Sequence, residues 1–232
     1  MNIFPSTKTH KQKNFWRIFL FPFFLLLCIS LFPACNKNVE YFDYVSELRS
    51  NIFLAKTENF DLRIYATVKE SPYTPDGVPR ECFSRLEAYL LAPEGDKTVC
   101  LSIQIDGQTQ DGEMSYDNVK GEYYYACSLD VSTLSSIPCA ITYGEEKIEL
   151  VASSVLTTET ISPQAALEKV KAENPELFSS MTDKYGFAGE IYIRLLYEDS
   201  PYYYVGVINR SGGCSAFLLN AETGKLLAKR ES

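Results

Sequence analysis

From Asn59 onward apolar and polar residues alternate: Phe60, Leu62, Ile64, Ala66 and Val68 interleave with Asp61, Arg63, Tyr65 and Thr67. A period of two sends successive side chains to opposite faces, as in a half-buried strand. Phe83 to Leu91, Val99 to Ile105, Tyr123 to Leu129, Ala140 to Tyr143 and Ile148 to Val155 read as further strands. Between them lie the loop Pro72 to Gly77, the turn Pro93 to Asp96, the polar loop Asp106 to Gly112 and a hairpin turn at Gly144-Glu145-Glu146. Short strands punctuated this regularly predict an antiparallel, immunoglobulin-like β-sandwich over residues 59–157. The Cys…Trp…Cys signature of antibody domains is missing, since Trp16 is the sole tryptophan. Before Asn59 the spacing is three and four: Phe42, Val45, Leu48, Ile52 and Ala55 predict a short helical segment, with an extended edge as the alternative.

After Ile161 the pattern changes again. Ser162 can cap a helix whose first residue is Pro163, where a missing N–H goes unnoticed. Ala166, Leu167 and Val170 form its apolar stripe, and Pro175 ends it. Strands follow at Phe187 to Tyr197, Tyr202 to Asn209, Cys214 to Asn220 and Lys225 to Ala228. Residues 158–232 thus predict one helix across a small antiparallel sheet, so the fold class is mainly β with an α+β C-terminal part.

The N-terminus carries a different signal. Lys8, Lys11, Lys13 and Arg17 precede a greasy run of 15 residues, Ile18 to Phe32, closed by Pro33-Ala34-Cys35. A transmembrane helix needs about 20 apolar residues, so this run suits the core of a cleavable export signal over residues 1–34. The Leu31 to Cys35 junction resembles a bacterial lipoprotein lipobox, which implies lipidation of Cys35 with fatty acyl chains such as palmitate; plain cleaved secretion and an uncleaved anchor are the alternatives. Residues 35–58 would then be a lipidated tether and the helical segment. More than one acyl chain is needed for stable anchoring. The expected location is the extracytoplasmic face of the cell membrane, with the membrane as a partner through those acyl chains.

Ser162-Pro163-Gln164-Ala165-Ala166, Tyr203-Tyr204-Val205-Gly206-Val207 and Asn220-Ala221-Glu222-Thr223-Gly224-Lys225-Leu226-Leu227 together resemble a PepSY domain over residues 160–230. The whole chain after the leader is similar to uncharacterised lipoproteins of Firmicutes that join a β-sandwich to such a module. The resemblance implies an extracytoplasmic binding or regulatory role directed at peptidases, and no catalytic residues.

Composition narrows the chemistry. The net charge is −8, and removing the basic leader deepens it, which argues against nucleic acid as a partner. His10, the single histidine, lies in the leader, so the remainder has no imidazole for Ser-His-Asp or Cys-His catalysis or for a histidine zinc site. Cys82, Cys100, Cys127, Cys139 and Cys214 form no C-x-x-C; buried free thiols are the main reading, with a Cys100–Cys127 disulfide as the alternative. Gly224-Lys225 is not a phosphate loop, because Leu219 stands where that motif needs glycine. Asp106, Asp111, Glu113 and Asp117 do not match calcium-loop spacing, and Glu145-Glu146 would point to opposite faces of a strand. No catalytic, cofactor or metal residue is assigned, and no cofactor is expected.

Two tyrosine trios, Tyr123-Tyr124-Tyr125 and Tyr202-Tyr203-Tyr204, remain. Alternation puts two of each trio on one face, which nominates Tyr123, Tyr125, Tyr202 and Tyr204 as a binding surface for an envelope protein or peptide. A carboxylate-based envelope hydrolase and a passive spacer are the alternatives.

Overall fold

The stretch expected to open as a helix is a strand. The computed structural model describes residues 39–72, 76, 78–93 and 97–231, and in it a 3-10 turn at Tyr41–Tyr44 gives way to β1 (Val45–Lys56). The three-and-four spacing misleads because β1 serves two cores and is bulged. Ile52 packs into one core and its neighbour Phe53 into the other, while the register shifts between Arg49 and Asn51. A strand buried on both faces loses its period of two, and a bulge shifts the phase of what remains.

Strands β2 (Asp61–Glu70), β3 (Cys82–Leu91), β4 (Val99–Ile105), β5 (Gln108–Glu113), β6 (Ser115–Asp117), β7 (Glu122–Cys127), β8 (Ser136–Tyr143) and β9 (Glu146–Ser154) follow. Two helices come next, α1 (Pro163–Glu173) and α2 (Pro175–Ser180), then the two-residue strands β10 (Thr182–Asp183) and β11 (Gly186–Phe187). Four strands end the chain: β12 (Gly189–Tyr197), β13 (Pro201–Asn209), β14 (Cys214–Asn220) and β15 (Leu226–Glu231). The fold is mainly β, and β1 with β12 is the one parallel pair among the described residues.

Pairing in the first half runs round a nearly closed ring instead of dividing into two stacked sheets. β1 pairs with β2, β2 with β3, β3 with β7 and β7 with β6. From the other edge of β1 the path continues through β9, β8 and β4 to β5. β5 and β6 are nearly one strand, joined and bent at Met114, so the two ends of the path meet there; the Met114 N–H donates to the Val99 carbonyl of β4. The sequence hides β5: Gln108–Glu113 carries no apolar side chain, although Asp106 and Gly107 before it take the left-handed conformations of a tight hairpin turn (φ 51° and 75°). Gly112 is needed at the closure, because a Cβ there would lie 2.0 Å from the Tyr125 ring. Phe53, Leu62, Ile64, Leu86, Leu101, Ile103, Ile137 and Ile141 fill the interior with no exposed surface, so the ring encloses a packed core.

The second core is closed by a helix. Ala166, Leu167 and Val170 of α1 lie with Ile191, Ile193, Leu195, Tyr203, Val205, Val207, Phe217 and Leu219 of β12, β13 and β14. Ser162 caps α1 by accepting from the Ala165 N–H at 3.1 Å, with Pro163 in the first turn. The Asn220 side chain accepts from the N–H groups of Glu222 and Thr223, and Gly224 takes φ 68° to complete the turn. That turn grips the helix start: the Ile161 N–H donates to the Ala221 carbonyl, and the Tyr203 hydroxyl donates to the Ile161 carbonyl at 2.9 Å. All the described residues fall in one compact unit, Val39–Ser232.

Candidate functional site

The face of β12 and β13 turned away from α1 carries Glu190, Tyr192, Arg194, Tyr202 and Tyr204, since their neighbours Ile191, Ile193, Tyr203 and Val205 occupy the helix-covered core. Register continues this face onto β1, where Glu47 lies beside Tyr192 and Arg49 beside Arg194. From there it passes to Lys69 and Thr67 of β2, then to Arg85, Glu87 and Tyr89 of β3 and Tyr124 of β7. Printed in side chains, the result is a belt of tyrosine and arginine crossing six strands.

Ring contacts connect one half of the belt. Tyr65 and Tyr89 lie 5.3 Å apart between centroids, Tyr89 and Tyr124 5.1 Å apart, and the Arg49 guanidinium sits 4.0 Å above the Tyr65 ring. Burial, then the nearby Glu87 carboxylate, pushes the Tyr89 phenol up to about 12, so it stays protonated and can donate a hydrogen bond across the physiological range. Tyr124 is raised for the same two reasons. Glu87 accepts from Lys69 Nζ at 3.1 Å and from the Tyr124 hydroxyl at 3.4 Å, and Arg85 Nε is 3.7 Å away.

The other half is organised by carboxylates. Arg194 donates to Glu47 through Nε and Nη2, both at 2.8 Å, the two-pronged geometry that suits a guanidinium and a carboxylate. Burial pushes the Glu47 carboxyl up, yet Arg194, Lys69 and Arg49 outweigh it and hold the group below its ordinary value. Glu47 and Arg194 line a cleft of about 330 Å³ with Ser46, Lys69, Glu70 and Tyr192. Glu190 lies next to it, accepting from the Tyr192 hydroxyl at 3.2 Å and from the Ser46 hydroxyl at 3.5 Å. Glu70 is 8% exposed and accepts from the Arg80 N–H at 3.2 Å; burial first and Glu190 second raise its pKa.

The proposed tyrosines divide. Tyr202 and Tyr204 lie on the belt face, half-buried. Tyr123 does not: it is 7% exposed and belongs to the barrel core, so its nomination as a binding residue is corrected. Tyr125 is half-buried against that core, its ring over Gly112 and its hydroxyl accepting from Gln110 Nε2 at 3.2 Å. Tyr124 is the outward member of the first trio. Alternation alone could not say which face of β7 meets the core, because both tyrosine and β-branched residues satisfy either face. Cys35 lies outside the described residues.

The remaining motifs find structural places. Glu145 is in the β8–β9 turn and Glu146 begins β9; Asp111 is on β5, and the Asp117 carboxylate accepts from the N–H groups of Val119 and Lys120. Cys82, Cys100, Cys127, Cys139 and Cys214 form no disulfide with one another, and burial pushes Cys139 up to about 11, far from nucleophilic readiness. A depression of about 1020 Å³ beside Lys97, Glu113 and Tyr116 gathers no converging set of charged or catalytic groups among the described residues. Among the described residues no helix is long and apolar enough to cross a membrane. No protein-family model matches the chain, and neither a curated protein nor a solved structure matches it.

Proposed function

We propose that this chain is a non-catalytic, membrane-anchored surface lipoprotein that binds a protein or peptide of the cell envelope through its tyrosine and arginine belt. The observation that carries the reading is composition: six tyrosines (Tyr65, Tyr89, Tyr124, Tyr192, Tyr202 and Tyr204) and four arginines (Arg49, Arg63, Arg85 and Arg194) share one sheet face. Tyrosine and arginine are the residues most enriched where proteins meet. The side chains are reachable, with Arg85 48% exposed and Arg194 and Lys69 each 37% exposed. In this reading the nearly closed ring of β1 to β9 stands where the sequence suggests the β-sandwich. The α1–β15 segment is the PepSY-like part, supported by α1 and the short α2 packed with four antiparallel strands and by the Asn220-to-Gly224 turn. Anchoring rests on the lipobox resemblance at Cys35 and the greasy run before it.

The test is site-directed photocrosslinking in cells. Tyr124 and Tyr204, replaced in turn by a benzophenone amino acid, are expected to give the same discrete adduct, while Lys147 on the outer β9 strand gives none. Equal labelling from all three positions, or from none, removes the reading. Intact-mass measurement of the membrane fraction examines the anchor, which predicts loss of residues 1–34 and acyl mass on Cys35.

A carboxylate-based hydrolase is the second reading, favoured by Glu70 and Glu190 beside the small cleft, with Glu70 raised by burial. It ranks below the first because both carboxylates are already engaged by the protein, Glu70 by the Arg80 N–H and Glu190 by Tyr192 and Ser46.

A further inference from the structure

The charges on the belt are unevenly satisfied. Glu47 is held by both prongs of Arg194, and Glu87 is held by Lys69 and Arg85. Arg49 is left over. It makes no ion pair among the described residues, and its Nε is buried without a hydrogen-bond partner. Its one strong contact is the Tyr65 ring beneath it at 4.0 Å. A guanidinium carries five N–H donors in a fixed fork, and a buried donor left unmet is unfavourable. Register aggravates the position by setting Arg49 directly beside Arg194, a second cation.

Resting on the binding reading above, we infer that Arg49 is the anchor for a carboxylate of the partner: an acidic side chain, or a chain terminus, on an extended peptide segment laid along the Tyr65–Tyr89–Tyr124 row. Three observations select this occupant. The planar fork of arginine matches a carboxylate with two parallel hydrogen bonds. The neighbouring tyrosines offer flat apolar rings for the residues flanking that acid. Glu47, two residues before the arginine on β1, and Glu87, beyond β2 on β3, already carry negative charge near it, which opposes a polyanion such as a lipid surface or a nucleic acid and tolerates a single negative charge. A flat headgroup plane is also a poor match for a guanidinium whose Nε is already beneath the surface.

The experiment uses the chain from Cys35 onward without its acyl groups and a phage library of random dodecapeptides. Enriched peptides are expected to share an Asp, a Glu or a free C-terminus beside an aromatic or aliphatic residue. A synthetic copy of the best peptide, followed by fluorescence polarisation, should lose affinity about tenfold or more when its acid is changed to the amide, and by a similar factor with Arg49→Gln. Arg49→Lys should recover part of the loss, and Arg210→Gln, on the distant β13–β14 turn, should lose nothing. Thermal melts establish whether Arg49→Gln is folded; if it is not, the acid-to-amide peptide on the unaltered protein carries the test alone. Enrichment without acids, equal binding by Arg49→Gln, or no enrichment overturns the inference. So does Arg49-dependent binding to vesicles of anionic phospholipid with no peptide binding. If any of these occurs while positions 124 and 204 still crosslink a common partner, the anchor assignment falls and the binding reading stands.

Discussion

The two cores of this molecule reach the same end by different means. The barrel hides its apolar residues by curving one sheet until its first and last partners meet, with no helix contributing to the interior. The C-terminal sheet does not curve far enough and needs α1 to cover it. Covering one face with a helix, and turning another inward, leaves the opposite sheet face to be packed by its own side chains, among them Tyr65, Tyr89 and Tyr124. That face runs unbroken from β7 to β13 because β1 belongs to both constructions. The surface proposed above to bind a partner lies on that shared face.

The sharpest way to break the comparison is to empty one core and watch the other. Phe53 of β1 is fully buried in the barrel, and Phe217 of β14 is 1% exposed in the helix-backed core. Phe53→Ala and Phe217→Ala should each lower stability by about 3–5 kcal/mol, the usual cost of deleting a buried ring and leaving a cavity. Since Ile52 and Phe53 put one strand in both cores, we expect either substitution to reduce hydrogen-exchange protection in both regions together. If Phe53→Ala loosens barrel amides and leaves β13 and β14 protected, the cores are separate folding units and β1 is only a shared edge.

A smaller perturbation addresses the helix alone. Ser162→Ala removes the acceptor of the Ala165 N–H and should cost about 1 kcal/mol. Its effect on exchange should be confined to α1 and the Asn220-to-Gly224 turn, because the barrel has no helix to lose. Equal loss in β2 and β3 would mean that the two ways of closing a core are less independent than their geometry suggests.

The sequence made some of this legible and not the rest, for physical reasons. Val99 to Ile105 and Cys214 to Asn220 were readable to the residue, because each is a short apolar strand between strong turn signals. The start of α1 was readable from Ser162-Pro163. β1 was not, since burial on both faces and a bulge at Ser50 replace alternation with a false helical spacing. β5 was not, since an exposed strand at the ring's closure needs no apolar residue. The belt was readable only in part. Tyr202 and Tyr204 announced themselves as a run, whereas Tyr65, Tyr89, Arg49 and Arg194 are scattered over four strands and meet only through cross-strand register.

The smallest expected effect separates the two carboxylates that line the cleft on the belt. Glu47 and Glu70 are both partly buried, yet their pKa values move in opposite directions from 4.5. For Glu47 the arginine prevails, so its charged form favours folding; that contribution is present above the unfolded value and lost as pH falls through the folded one. For Glu70 burial and Glu190 prevail, so its charged form opposes folding. The penalty is absent below the unfolded value and grows as pH rises through the folded one. Glu70→Gln keeps an oxygen to accept the Arg80 N–H and removes the charge. It should therefore stabilise the protein at pH 7 by less than about 1 kcal/mol, an advantage that vanishes near pH 4. Thermal melts across that range give the answer directly. A Glu70→Gln variant less stable at pH 7 than the unaltered chain would mean that the carboxylate is satisfied as an anion, and the contrast between the two acids would be gone.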